Sequence, residues 1–478
     1  MTVLLWFRND LRLSDHAALT AAVESGHDVL PVYVLDEGAA GIWAPGGASR
    51  WWLHHSLAAL DASLSRMGAR LILRRGSAGE HLRSIARETK AVALHAGRAV
   101  EPWARTQESA LEAALSEDGV AVHWHRTVML FDQDALRTKS GGPFHVYSPF
   151  ARACMETGGP PPPLPAPARV SAPARLPRSD CSEAWALLPA HPDWAGEIRA
   201  TWTTGEAAAQ DRLRRFVPVT LADYAAGRDR PRAEGTSRLS PHLHFGEISP
   251  VQVWHAAREI EGRGSGKFIG ELLWREFSIH LLWHQPHLPD RPLRAAFASM
   301  AYRDDPAGLR AWQRGRTGIP IVDAGMRQLW RTGWMHNRVR LIAASFLVKH
   351  LLINWREGEA WFWDTLVDAD LANNSASWQW VAGSGTDSAP FVRIFNPVLQ
   401  ARKFDPDGDY VRTYVPELAS LPAPEIHAPW EVPEIVLRGA GVVLGRTYPR
   451  PILDLGTGRA RALAAYAGLG GGEPGRLA

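Results

Sequence analysis

Four short segments in the second half of the chain carry residues able to do chemistry, at spacings that would bring them together. EGTSRLSPHLHFG at 234–246 supplies the hydroxyls of Thr236, Ser237 and Ser240, with Arg238 and Leu239 between them, where a helix can start. Hydroxyls, exposed backbone N–H groups and a guanidinium make a diphosphate site, and the competing role is a plain helix cap. ELLWREF at 271–277 sets Glu271 and Trp274 three apart, hence on one helical face, with Arg275 beside them. A carboxyl next to a large aromatic suits a nucleobase, its π-face on Trp274 and its polar edge on Glu271. The bland alternative is a surface ion pair and a core Trp. TGWMHNRVR at 332–340 gathers Trp334, His336, Asn337, Arg338 and Arg340. A solvated basic face would explain the arginines alone, whereas Asn–Arg beside Trp suits phosphate and base contact. DADLANNSASWQW at 368–380 reads as a loop in which Asp368 pairs with Arg340. Trp378 and Trp380, two apart, point differently, one toward a cofactor and one toward a substrate. Metal binding by Asp368 and Asp370 competes, but no third ligand stands nearby and the surroundings are aromatic and amide-rich.

Elements must hold these segments in place. Apolar runs at 2–7, 29–35, 69–73, 91–96 and 120–125 read as strands, separated by helical patterns at 15–26, 49–67, 78–89 and from Pro102. Strands alternating with helices imply a parallel sheet with right-handed crossovers, so residues 1–130 are expected to form a Rossmann-like α/β domain. Residues 131–204 read as an inter-domain connector. The stretch 141–178 is Pro-rich, with four prolines at 160–163, and is expected to hold no regular element. Residues 205–478 read as an all-α domain, with helices at 251–261, 268–284, 322–331, 339–354 and 359–366.

Composition bounds the function classes. The 478 residues carry a net charge of +3, so any nucleic-acid surface must be local. Trp is overused, 21 against 8 Tyr, and core filling should account for most of it. Two cysteines, Cys154 and Cys181, have no metal-type spacing and suit a reducing cytosol. Arg8, Asp10 and Arg12 directly follow the first apolar run, which therefore does not read as a signal peptide, and no apolar run is long enough to span a membrane. Three features read as decoys. GRGSGK at 262–267 fails the P-loop spacing and is expected as a helix–helix loop. LDLGTG at 453–458 has too little chain after it for a βαβ unit and is expected as a loop. His242 and His244 read as surface or cap histidines rather than ligands.

With WFRNDLRLSD at 6–15, TGIPIVDAGMRQLWRTGWMHNR at 317–338 and APFVRIFNP at 389–397, the four segments resemble the DNA photolyase/cryptochrome family over essentially the whole chain. The likeness is nearest to the class I cyclobutane pyrimidine dimer photolyases. It implies FAD held without a covalent bond in the helical domain. Tyr224, Thr236, Ser237, Arg238, Leu239 and Ser240 match phosphate and ribose contacts. Phe268 and Ala369 complete the cofactor set. Asp368 and Asp370 match isoalloxazine and ribose contacts, Arg340 matches the partner of Asp368, and Asn374 matches the residue facing flavin N5. An Asn there favours the fully reduced anionic flavin, the form that gives up an electron when excited.

The resemblance also implies a mechanism. A pyrimidine dimer in damaged DNA is flipped out of the duplex, as the handling of single bases by such enzymes requires. Trp274 and Trp380 stack on it, Glu271 and Asn337 hold its polar edge, and Arg275, Arg338 and Gln400 contact the backbone near the lesion. Trp378 and Trp355 match the inner two members of an electron chain that keeps the flavin reduced. The outer position falls on Tyr302, a departure from the usual Trp, with Trp312 or Trp361 as substitutes. A second departure is Leu341, where Met is usual. VEPWAR at 100–105 points to a deazaflavin or flavin antenna in the N-terminal domain in preference to folate, with no antenna as the remaining alternative. The competing functions are blue-light signalling of the cryptochrome kind, against which stand Asn374 and a short Gly-rich tail after Tyr466, and a light-independent DNA-binding module. The partner is damaged DNA, no membrane is involved, and a cytoplasmic monomer is expected.

Overall fold

A computed structural model describes residues 1–469, so most of the Gly-rich tail after Tyr466 lies outside the described residues. The chain divides into two compact units. The first joins Met1–Ala225, Thr236–Pro286 and Val367–Asn373; the second joins Ala226–Gly235, His287–Leu366 and Asn374–Ala478.

In the first unit five strands, β1 (Thr2–Phe7), β2 (Asp28–Leu35), β3 (Ile72–Arg75), β4 (Ala91–Gly97) and β5 (Ala121–His125), form one parallel sheet in the order β3-β2-β1-β4-β5. This is the doubly wound order of a Rossmann-like half. β1, at the centre, is buried along its whole length, as a parallel strand covered on both faces must be. β5, at the edge, alternates toward solvent. The helices Ala17–Glu24, Gly47–Arg66, Ala78–Thr89 and Pro102–Glu117 make the crossovers. Leu4, Trp6, Leu30, Val32, Leu82, Ile85, Leu94, Leu111 and Leu115 close the core, each large side chain contributing about 1.5–3 kcal/mol by burial. β3 starts three residues later than its apolar run suggested, because Ile72 is the residue that pairs with Val32.

The connector is more regular than its prolines suggested. Tyr147–Glu156 is a helix whose Pro149 falls in the first turn, where no intrahelical N–H is lost. A buried polar network ties the chain just before it to the helix Arg263–His284. Glu276 accepts from the Leu130 N–H (3.1 Å), the Phe131 N–H (3.0 Å) and Gln133 Nε2 (2.6 Å). His280 Nε2 accepts from the Phe144 N–H at 3.0 Å. GRGSGK is a correction: residues 263–267 are the first turns of that helix, not a loop. Gly264 is required there because a Cβ would meet the Leu221 carbonyl oxygen at 1.9 Å.

The second unit is helical; among the described residues no strand follows β5 apart from a bridge between Leu444 and Tyr448. The helix Pro320–Thr332 opens with Pro at its first position and ends on Gly333 at φ 67, the expected asymmetry of helix ends. The helix expected at 339–354 is instead Asn337–Ser345, then a π-turn Phe346–His350, then Leu352 at φ 57. The turn places Lys349 Nζ to donate to the Phe391 (3.0 Å) and Arg393 (3.2 Å) carbonyls, and burial brings the Lys349 pKa down to about 8. LDLGTG is a second correction. Asp454 caps the helix Leu455–Ala467, accepting from the Thr457 N–H (2.7 Å) and hydroxyl (2.8 Å).

Candidate functional site

Within the first unit, the helix Arg263–His284 carries Phe268, Glu271, Trp274 and Arg275. Trp274 lies flat against Tyr147, ring centroids 3.7 Å apart and planes 5° from parallel. The Tyr147 hydroxyl donates to the Gly270 carbonyl at 2.8 Å, and burial, then the Glu271 charge, pushes its pKa up to about 12. The indole is therefore braced on one face before any ligand arrives. Glu271 pairs with Lys267 one turn earlier at 3.2 Å. Arg275 Nη1 donates to the Val128 carbonyl at 3.0 Å, so part of its fork is already engaged. Tyr224, buried, meets the Phe268 ring edge-on at 5.1 Å. At 236–240, Arg238 holds φ 51, a left-handed value rare outside glycine, and Leu239 follows in the right-handed region. That alternation turns successive N–H groups to one side, the concavity that binds anions. The Ser237 hydroxyl accepts from the Leu239 N–H at 3.3 Å.

His242 needs correction. His242 is fully buried with Nδ1 2.5 Å from Glu247, which also accepts from Trp52 Nε1 (3.2 Å), the Gly205 N–H (2.7 Å) and the Ser56 hydroxyl. It is a core group, not a surface one. His244 is half-buried. Burial lowers its pKa, against the pull of Asp370 and Asp368, and its Nδ1 is buried without a partner. Asp368 is buried, and Asp370 accepts from the Asn373 N–H (2.8 Å) and amide (2.7 Å). DADLANNSASWQW is thus not a loop. Leu371–Ala382 is a helix, started by the Asp370 cap despite its run of poor helix formers.

Within the second unit, Asn337 is exposed at the start of the helix Asn337–Ser345. Arg338 pairs with Asp229 at 2.8 Å and lies 4.4 Å over Phe404. Arg340 Nε donates to the Met335 carbonyl at 2.7 Å. His336 caps this helix through Nδ1; burial lowers its pKa to about 4 and leaves Nε2 without a partner. Asn374 is buried, its amide Nδ2 donating to the Glu359 carbonyl at 3.0 Å. Trp378 is buried edge-on against Phe362 (5.0 Å) and Trp312 (6.2 Å), and Trp380 is half-buried. Gly358 is needed here, since a Cβ would meet the Trp378 ring at 2.1 Å. Trp355 is buried; Trp361 stacks on the exposed Trp330 at 6.0 Å. The Tyr302 hydroxyl is buried without a partner, and burial pushes its pKa up. Its phenolic proton therefore has no acceptor at hand among the described residues. Gln400, half-buried, stands on the helix Pro397–Phe404 capped by Asn396.

Residues 3–168 match the DNA photolyase family, and residues 268–468 match the FAD binding domain of DNA photolyase. The chain belongs to the DNA photolyase family. A deoxyribodipyrimidine photo-lyase of Agrobacterium fabrum is 51% identical over 97% of each chain. The crystal structure of a bacterial class III photolyase from Agrobacterium tumefaciens superposes with a TM-score of 0.95 at 51% identity, covering 98% of this chain and 97% of that one. Cryptochrome-1 of Arabidopsis thaliana is 36% identical over 96% of this chain and 69% of its own.

The residues present fit the flavin of this family. The left-handed turn at Arg238 suits a diphosphate, the orphaned Nδ1 of His244 beside Asp368 and Asp370 awaits a polar group, and Tyr224 with Phe268 gives an aromatic wall. Tyr147, His244 and Glu359 were missed from the sequence. Tyr147 lay in the stretch read as irregular, so nothing tied it to Trp274. Glu359 had a signal: it falls four after Trp355 and three before Phe362, on the buried stripe of its helix.

Proposed function

We propose that this photolyase-family chain repairs cyclobutane pyrimidine dimers in DNA with light, as a carbon–carbon lyase. When bound and reduced, FAD would supply the light-driven, reversible one-electron chemistry that the repair needs. The observation that carries the reading is the indole of Trp274, braced flat by Tyr147 one turn from Glu271. A rigid aromatic face costs little to order when a base stacks on it, and such stacking contributes about 1–3 kcal/mol. In this reading Trp274 and Trp380 stack on the dimer. Glu271 and Asn337 hold its polar edge, and Gln400 with the remaining donors of Arg275 and Arg338 contacts the backbone. Residues 236–240, Tyr224, Phe268, Arg340, Asp368, Ala369 and Asp370 hold the cofactor, and Asn374 faces its reactive edge. Trp378 passes electrons inward, with Trp355 and then Tyr302, Trp312 or Trp361 behind it.

The working division is an antenna domain at 1–130, a connector at 131–204 and a catalytic domain at 205–478, acting as a monomer. A deazaflavin or flavin in the first domain would serve as antenna. Within the family, the class III branch of the Agrobacterium structure is favoured over class I by its 51% identity. Blue-light signalling is the second reading, supported by the identity to a plant cryptochrome. The flavin-loaded protein should remove thymine dimers from an irradiated oligonucleotide under blue light and not in darkness. Equal loss in both conditions, or none in either, overturns the proposal.

A further inference from the structure

Glu359 lies on the helix Trp355–Thr365 and is fully buried. Among the described residues its two carboxyl oxygens share a single partner: Oε1 meets the Ser375 hydroxyl at 2.5 Å, and Oε2 is buried with none. An ionised carboxylate in that place would leave half its charge on an oxygen buried from solvent and without a donor among the described residues, which is costly. A neutral acid avoids that cost. The same residue's backbone carbonyl accepts the Asn374 amide at 3.0 Å, and its neighbour Gly358 carries the Trp378 ring. Through its own carbonyl and its neighbour Gly358, this turn of helix therefore meets both the residue assigned to the cofactor's reactive edge and the inner residue of the electron path.

We propose that Glu359 is a positioning residue of the flavin site, a carboxylic acid kept neutral behind Asn374 that sets how readily the site carries negative charge on its cofactor. The proposal rests on the reading of Asn374 given above. A negative charge at Glu359 would disfavour an electron-rich, anionic cofactor nearby; a neutral acid removes that penalty while still holding Ser375 of the helix Leu371–Ala382. Burial raises the Glu359 pKa to about 8, against the Ser375 hydrogen bond. Of the charged groups facing it, Asp290 raises the value further and Arg356 lowers it. The acid is thus neutral at pH 7 and ionises as pH passes about 8.

Two measurements on wild type, Glu359→Gln and Ser375→Ala test this. Infrared spectroscopy at pH 7 should detect a protonated carboxyl in wild type that Glu359→Gln lacks. The reduction potential of bound flavin should turn more negative as pH rises through about 8 in wild type. The turn should be absent in Glu359→Gln and moved to higher pH in Ser375→Ala, which deletes the one donor. Absence of the carboxyl band overturns the neutral acid. A band with parallel potential profiles in all three proteins overturns its coupling to the site. Failure to bind flavin at all, with the band present, overturns the site reading and the coupling with it.

Discussion

Two buried acids in the same unit face opposite circumstances. Asp323, in the helix Pro320–Thr332, accepts from the Thr317 N–H and hydroxyl (both 2.7 Å), the Gly318 N–H (3.0 Å) and the Tyr448 hydroxyl (2.7 Å). Among the described residues, the Glu359 carboxyl has the Ser375 hydroxyl and no other donor. Burial pushes both pKa values up; at Asp323 the hydrogen bonds from Tyr448 and Thr317 and then the Arg327 charge pull the other way, at Glu359 the Ser375 hydroxyl and then Arg356. Asp323 is surrounded as a structural group should be, with its hydrogen-bonding capacity met by the fold. Glu359 is left short, and it is the one whose backbone carbonyl accepts from Asn374. Incomplete satisfaction of a buried polar group is costly enough that it tends to persist where a site uses it.

The contrast can be broken most forcefully at Asp323. Asp323→Ala strands several buried donors at about 1–3 kcal/mol each, so a stability loss of about 3–5 kcal/mol in urea unfolding is expected. A loss below about 1 kcal/mol would remove the distinction. Glu359→Gln should act in the opposite sense. The folded chain holds a proton that the unfolded chain releases near its ordinary value of 4.5, so wild-type stability falls as pH rises from there to about 8 and then levels. The variant lacks that slope, so it should be no more stable than wild type near pH 4 and gain about 4 kcal/mol on it by pH 8. Melting curves across this range that stay parallel would place Glu359 with Asp323. A smaller effect, on binding alone, is expected at Trp274, whose brace by Tyr147 is apolar. Trp274→Ala should weaken affinity for dimer-containing DNA by about 1–3 kcal/mol and leave flavin content unchanged. Unaltered affinity would show the stacked pair to be core.

Most local structure was legible in the sequence. The strands of the parallel sheet followed from apolar runs, and the helix Ala78–Thr89 matched its pattern end to end. The failures have local causes too. Asn, Ser and Asp around 368–377 favour loops until a cap commits them to a helix, and Pro149 hides a helix by sitting in its first turn. GRGSGK and LDLGTG fit no phosphate or cofactor turn and, failing those, read as loops, whereas Gly264 and Gly458 sit in helices for close approach to Leu221 and to Leu453 and His350.

By itself, the sequence determined the α/β start, the helical remainder and the motif runs that place the chain in its family, since these depend on side-chain period and residue identity along short stretches. Only the folded chain decided that Tyr147 braces Trp274, that Glu247 holds His242, and that Tyr448, 125 residues from Asp323 along the chain, completes that acid's shell while Glu359 has no equivalent. Hydrogen-bond satisfaction and ring stacking are properties of distance in space, and no spacing along the chain encodes which distant group will arrive.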